Sequence, residues 1–270
     1  MNYLKLESFL SFQKLTLFIL IFLVKVFNLM SKQHIKFPNN LNLSSYEKKI
    51  YNGNLKNFLK DKPKNFIKFY HKAKNLSMLS KERLYNIFNC LNYIKLNGVK
   101  GDIVEVGCFK GANLALCRKF SKKKIYGFDT FMGHQKPNNK EKDIWGNNQL
   151  KIYEKNHFWH KITLKEVEKN IKKISSFNNI HLIKGKVQDN KESLKKIRKI
   201  SLLIIDVDWY EPTLFSLKNL YNKISKDGFL IIDDYGHHSG SKEATNLFFK
   251  NKKKIKFYNI DYSCIVMQKR

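Results

Sequence analysis

"LLIIDVDWYEPT", residues 202–213, decides how the rest of the chain is read. An apolar run suited to a strand buried on both faces stops at two carboxylates, Asp206 and Asp208. The same punctuation recurs in "FLIIDDYGHH", residues 229–238, where a second run stops at Asp233 and Asp234. Working outward, "IVEVG" (103–107), "KIYGFD" (124–129) and "IHLIKG" (180–185) are further short apolar runs separated by helix-length intervals. Strands alternating with helices predict right-handed βαβ units and a mainly parallel sheet. The tail reads differently: "KIKFYNI", then "DY", then "SCIVMQK" predicts two strands joined by a tight turn. The expected fold class is therefore α/β, a Rossmann-like seven-stranded sheet, mostly parallel, with an antiparallel C-terminal hairpin and an N-terminal helical extension.

Upstream of the first strand, "SKERLYNIFNCLNYIKLNG" (80–98) predicts a helix. Ser80 is its N-cap, and Leu84, Ile87, Phe88, Leu91 and Ile94 fall at helical spacing. Asn97-Gly98 ends it. Before it, "NFLKDKPKNFIKFYHKAK" (57–74) reads as helix interrupted near Pro63. The expected organisation is an apolar segment at 1–30, a helical region at 31–98 and a catalytic-type domain at 99–270, with a polar insertion at 132–160.

"LTLFILIFLV" (15–24) is continuously apolar but bounded by Lys14 and Lys25. It is too short for the roughly 20 residues that cross a bilayer, and no small-residue cleavage site follows it. An interfacial anchor, an uncleaved signal-anchor, a docking helix and a translation start at Met30 all stay open. Contact of residues 15–29 with a membrane surface stays open with them.

The net charge of +30 suggests an anionic partner. However, only four of the 52 basic residues are arginine (Arg83, Arg118, Arg198, Arg270), and the lysines are scattered rather than gathered into a block. Dedicated nucleic-acid binders lean on arginine for bidentate contacts, so compositional drift is the favoured cause and a nucleic-acid partner is disfavoured. Cys90, Cys108, Cys117 and Cys264 show no C-x-x-C spacing. They imply neither a zinc site nor a disulfide framework, and a cytoplasmic, reducing compartment is the expectation.

In an open α/β sheet, ligands gather outside the carboxyl ends of the strands, which gives position to the residue ending each run. In "VEVGCFKGAN" (104–113) the strand delivers Glu105. Gly107 and Gly111 then let the backbone turn tightly toward a ligand, although a plain strand-to-helix turn also explains the pair. The spacing is not the G-x-G-x-x-G of dinucleotide binders. In "YGFDTF" (126–131) Asp129, followed by Thr130, ends the next strand. A carboxylate there accepts from ribose hydroxyls or caps a helix. Together the two predict an adenosine-type cofactor, with Val187, Gln188 and Asp189 flanking the adenine.

Four carboxylates ending two neighbouring strands raise one another's pKa unless a cation compensates them. Oxygen-only donors favour a hard ion such as magnesium. The expectation is Asp206, Asp233 and Asp234 around a divalent cation, with Asp208 nearby as a supporting group or base. Neutralisation by scattered lysines is the structural alternative. A sugar or phenol hydroxyl held by a cation ionises more readily, and Asp206 or Asp208 would take the proton. His237 and His238 either orient substrate and relay a proton or are ordinary surface residues.

At these residues the chain resembles the macrocin O-methyltransferase (TylF-type) family, class I enzymes that use S-adenosylmethionine to methylate sugar hydroxyls. The resemblance runs from about residue 76 to 250. It is carried by "LSMLSKERL", "NGVKGDIVEVGCFKGAN", "GFDTFMG", "ITLKEVEKN", "LIKGKVQDN", "IDVDWYEPT" and "DGFLIIDDYGHHSG", all in the family's order. It implies the class I methyltransferase fold, S-adenosylmethionine at Glu105, Gly107, Gly111 and Asp129, a metal ion at Asp206, Asp233 and Asp234, and Asp206 as base. It implies a sugar or glycoside acceptor and makes the polar insertion, with Trp145 and Trp159, a lid over the site. A homo-oligomer stays open. The lysine- and asparagine-rich lid matches the family poorly, which leaves the acceptor sugar unassigned. Of the rival readings, a nucleic-acid methyltransferase lacks its Asn/Asp-Pro-Pro-aromatic box, because the only prolines are Pro38, Pro63, Pro137 and Pro212. A basic binding protein without catalysis has no need of four strand-end carboxylates.

Overall fold

The computed structural model describes residues 58–155, 161–252 and 255–270. All of them lie in one compact unit, Asn54–Arg270. The expectations for the apolar segment 15–29, for the rest of the chain before residue 58 and for Trp159 lie outside the described residues. Among the described residues no helix is long and apolar enough to cross a membrane.

The apolar runs become strands β1 (Asp102–Val106), β2 (Ile125–Asp129), β3 (Ile180–Lys184), β4 (Ile200–Ile205) and β5 (Ile224–Ile232), followed by β6 (Tyr258–Asn259) and β7 (Ile265–Gln268). They form one seven-stranded sheet in the order β3-β2-β1-β4-β5-β7-β6. The first five are parallel, and β7 runs antiparallel to both β5 and β6. The order reverses between β1 and β4, which opens a crevice at their carboxyl ends. The expected first tail strand shrinks to two residues, because only Tyr258 and Asn259 find partners on β7.

Helices α1 (Lys64–Ala73), α2 (Lys81–Leu96), α3 (Ala112–Phe120), α4 (Gln149–Lys155), α5 (Leu164–Ile174), α6 (Lys191–Lys196), α7 (Tyr210–Leu220) and α8 (Ser239–Phe249) cover the sheet. The strands read as unbroken apolar runs because both faces are covered. Ile103, Leu202, Ile204 and Ile231 face one core with Leu84, Ile87 and Leu91 of α2. Val104, Leu203, Ile205 and Ile232 face the other, with Leu194 of α6 and Leu217 of α7. Helix α2 starts as its cap requires, the Ser80 side chain accepting from the Arg83 amide at 3.2 Å. Pro63 directly precedes α1.

Register sets the site. Val106, Ile205 and Ile232 are level across β1, β4 and β5, so Gly107, Asp206 and Asp233 emerge together at the carboxyl edge. The ladder continues one step past the strands, with Asp206 N bonded to Val106 O at 2.8 Å and Asp233 N to Ile205 O at 3.0 Å. The described part of the insertion folds back onto this edge. Backbone bridges join Lys142 to Asn148 and Asp143 to His238, and the Asp143 carboxylate accepts from the amides of Trp145 and Asn147.

Candidate active site

The β1–α3 turn is held from below by Asp129. Its Oδ2 accepts from the amides of Cys108 and Phe109 at 2.7 and 3.0 Å, and its Oδ1 from Phe131 at 2.8 Å. Thr130 closes the following turn, its hydroxyl donating to Gly133 O at 2.6 Å. Gly107 has φ 90° and Gly111 φ 85°. A Cβ on Gly107 would lie 1.7 Å from the Asp206 carbonyl oxygen, and one on Gly111 would press on Val167 and Ile171. Both glycines therefore answer to packing as well as to any ligand.

Glu105 is buried and points toward α3, where Asn113 Nδ2 donates to Oε1 at 2.7 Å. Its Oε2 has no partner. Burial pushes this carboxyl up to about 8, eased by the Asn113 hydrogen bond and worsened by the Asp129 and Asp233 charges. Val187 and Gln188 lie just past β3, and the Gln188 side-chain oxygen Oε1 is buried without a partner. Unpartnered buried acceptors at the ends of β1 and β3 fit a ligand that brings its own donors, as the adenine and ammonium groups of S-adenosylmethionine would.

On the other side of the crevice, ligand oxygens of Asp206, Asp233 and Asp234 lie within 4.8 Å of one another. Burial and mutual repulsion push Asp206 and Asp234 well above the carboxylate range. Asp233 rises only to about 6, because burial is opposed by Arg83. Among the described residues the cation seated on this group is not a lysine but Arg83, whose Nη1 lies 2.5 Å from Asp233 Oδ2. Three clustered carboxylates with one guanidinium at their edge make a donor set that fits a hard divalent ion.

Asp208 joins the cluster through Asp234 but is held by different partners. It has φ 60° and lies between two imidazoles, with His134 Nδ1 at 2.8 Å and His238 Nε2 at 3.4 Å. Burial alone would raise Asp208, but the two histidines pull it below the usual range. Asp208, Asp234 and His238 form a second group with ligand atoms within 4.8 Å. His237 lies one layer out, its Nδ1 3.3 Å from Tyr262 Oη and its ring 5.0 Å from Trp145. Burial, with His238 beside it, lowers His237 to about 4.

The model of the macrocin-O-methyltransferase (TylF) family matches residues 21–269. The chain belongs to that family. It is 27% identical over 177 residues to demethyldecarbamoylnovobiocin O-methyltransferase of Streptomyces niveus, covering 63% of this chain and 66% of the relative. It is 25% identical to the 8-demethyl-8-(2,3-dimethoxy-alpha-L-rhamnosyl)-tetracenomycin-C 4'-O-methyltransferase of Streptomyces olivaceus, covering 59% of this chain and 62% of the relative. The matches thus span a little under two thirds of these relatives' length. Among solved structures, the O-methyltransferase NovP superposes with a TM-score of 0.63 at 25% identity, covering 72% of this chain and 81% of that one.

In this TylF-family chain, the fold brings Asp206, Asp208, Asp233 and Asp234 together and sets His237 behind His238. The edge also gathers in four side chains that the strand-end motifs do not include. Arg83 falls on the apolar stripe of α2, a place where a charge is itself a signal. His134 lies five residues past the end of β2, and the strand-end rule would have reached it. Glu141 accepts from the Tyr210 amide at 3.0 Å beside Gly240, where a Cβ would lie 2.1 Å from Glu141 Oε2. Asp261 pairs with Arg83 across the β6–β7 turn, at 2.6 Å from Nε. No local pattern marks these last two.

Proposed function

We propose that the protein is an S-adenosylmethionine-dependent O-methyltransferase whose acceptor is a sugar hydroxyl of a glycoside and whose reaction uses a divalent cation, magnesium by preference. The observation that carries this reading is the meeting of Asp206, Asp233 and Asp234 at the ends of β4 and β5, next along the sheet from the Gly107–Gly111 turn after β1 and Asp129 at the end of β2. The rhamnosyl group in the name of one relative supports the sugar acceptor.

In this reading Glu105, Gly107, Gly111, Asp129, Thr130, Val187 and Gln188 surround the methyl donor. Gln188 and Glu105 supply the acceptors for its amino groups, and Asp129, one carboxylate with capacity beyond its three amide donors, supplies those for its ribose. Asp206, Asp233 and Asp234 hold the cation, which lowers the pKa of a bound hydroxyl when present. Methyl transfer is a displacement at a sulfonium carbon, so the chain's work is alignment and the removal of one proton. Asp206 takes that proton in this reading, with Asp208 holding His134 and His238. His237 and Trp145 form the outer wall on the acceptor side. The insertion at 132–160 acts as the lid that excludes water.

The test is a set of assays on the purified chain. S-adenosylhomocysteine should bind in calorimetry, and methyl should pass from labelled donor to members of a glycoside panel with magnesium but not with EDTA. Asp206→Asn should cut transfer at least about 1,000-fold, in line with losing a general base and a cation ligand together, while leaving S-adenosylhomocysteine binding intact. No heat at millimolar ligand ends the cofactor assignment; full activity in EDTA ends the cation assignment.

A further inference from the structure

Arg83 sits where α2 would ordinarily present an apolar residue to the sheet. It is 8% exposed, and a buried guanidinium persists only where its charge and donors are matched. Nη1 meets Asp233 Oδ2 at 2.5 Å and Nε meets Asp261 Oδ2 at 2.6 Å. Asp261 is itself pinned. Ser80 Oγ donates to its Oδ2 at 3.0 Å, and the amides of Ser263 and Cys264 donate to its Oδ1 at 2.9 and 2.8 Å. The Tyr262 ring lies 5.7 Å from the guanidinium carbon. Ser80 also caps α2, so helix start, arginine and β6–β7 turn form one closed hydrogen-bonded unit.

Strand alternation explains why the other arm of the fork reaches Asp233. Ile231 faces the core shared with α2, and Asp233, two residues on, keeps that side. Asp261 alone would balance the charge. The second arm instead occupies one oxygen of a carboxylate that ends β5 beside Asp206 and Asp234. Among the described residues no hydrogen bond reaches Asp233 Oδ1.

We propose that Arg83 is a positioning residue that sets the cation preference of this site: by occupying Oδ2 it leaves Asp233 a one-oxygen ligand. The inference rests on the reading of Asp206, Asp233 and Asp234 as cation ligands. Magnesium demands a near-octahedral shell of single oxygens and manganese favours an octahedral one, whereas calcium accepts six to eight oxygens, readily from two-oxygen carboxylates. A carboxylate clamped on one side therefore suits the smaller ions. Loss of the clamp frees Oδ2 for two-oxygen binding and moves the site toward calcium. Loss of the positive charge strengthens both ions alike, so the ratio of their affinities isolates the geometric effect.

The experiment measures manganese affinity by the paramagnetic resonance signal of free ion, and calcium affinity by competition, on the full chain. Arg83→Met should lower the manganese-to-calcium affinity ratio at least tenfold. Arg83→Lys, which replaces the planar fork spanning Asp233 and Asp261 with one compact ammonium on a shorter reach, should lower it about threefold and carries the test if the methionine variant does not fold. Asp261→Asn should lower the melting temperature yet keep the ratio within twofold of wild type, because the Asp233 clamp survives. An unchanged ratio in a folded Arg83 variant, or an equal fall in Asp261→Asn, overturns the proposal while the cation reading stands. Wild-type protein that binds neither ion removes the cation reading, and the proposal with it.

Discussion

On the β1–β2 side of the carboxyl edge, Asp129 collects three backbone amides. On the β4–β5 side, Asp206, Asp208, Asp233 and Asp234 share one guanidinium, two imidazoles and one amide, that of Asp208 to Asp234 Oδ2 at 3.2 Å. One half of the site is a turn whose backbone amides are matched by a single carboxylate. The other is an excess of like charge held in place by the fold. A turn fixed by its own hydrogen bonds suits a ligand of fixed shape, and a charge-rich pocket suits an ion, since burying carboxylates together is unfavourable until something positive joins them.

The two halves touch at Gly107, and the largest effect is expected there. Gly107→Ala forces a side chain onto φ 90° and onto the Asp206 carbonyl. It should destabilise the protein by about 3–5 kcal/mol in denaturant unfolding. A loss under about 1 kcal/mol would mean that the strand ends are not as tightly apposed as they look.

Glu105 lies between the halves, and its behaviour with pH separates them. Its folded carboxyl is raised, to about 8 from an ordinary 4.5, so the native state holds a proton that the unfolded chain has released. Its stabilising contribution is complete below about pH 4.5 and is lost as pH climbs toward 8. Glu105→Gln should therefore flatten the fall in stability between pH 5 and pH 8, by an amount on the order of 3 kcal/mol in cofactor-free protein. Parallel wild-type and mutant slopes over that window would show that Glu105 is solvated.

The sharpest contrast comes from the same substitution on either side. Asp129→Asn turns an amide donor toward backbone donors and should cost about 2 kcal/mol, with weaker S-adenosylhomocysteine binding. Asp206→Asn removes one charge from a crowded group and, without divalent cation at pH 7.5, should stabilise the protein by about 1 kcal/mol. If both variants lose stability equally, the two halves are not built on different principles.

Much of this was legible in the chain. Each apolar run that stops at a carboxylate is a strand aimed at the carboxyl edge, and alternation with helices orders the strands into a parallel sheet. The glycines and Asp129 announced a turn, and paired aspartates announced crowded charge. Arg83 was not legible as a site residue, since its partners lie 150 and 178 residues further along. Nor was the choice between His237 and His238, because adjacent residues at a helix start differ in direction and only packing decides which one faces Asp208. The insertion read as polar loop, yet its backbone bridges and Glu141 seat it against α7 and α8.

By itself the sequence determined the elements, their parity and the carboxylates at their ends, since hydrophobic period and strand-end residues are local properties. Only tertiary structure decided which cation sits on Asp233, which histidines flank Asp208 and what each glycine must avoid. Those depend on register and on helices packing across the sheet, where contacts between distant residues are fixed by the whole fold rather than by any neighbour in the chain.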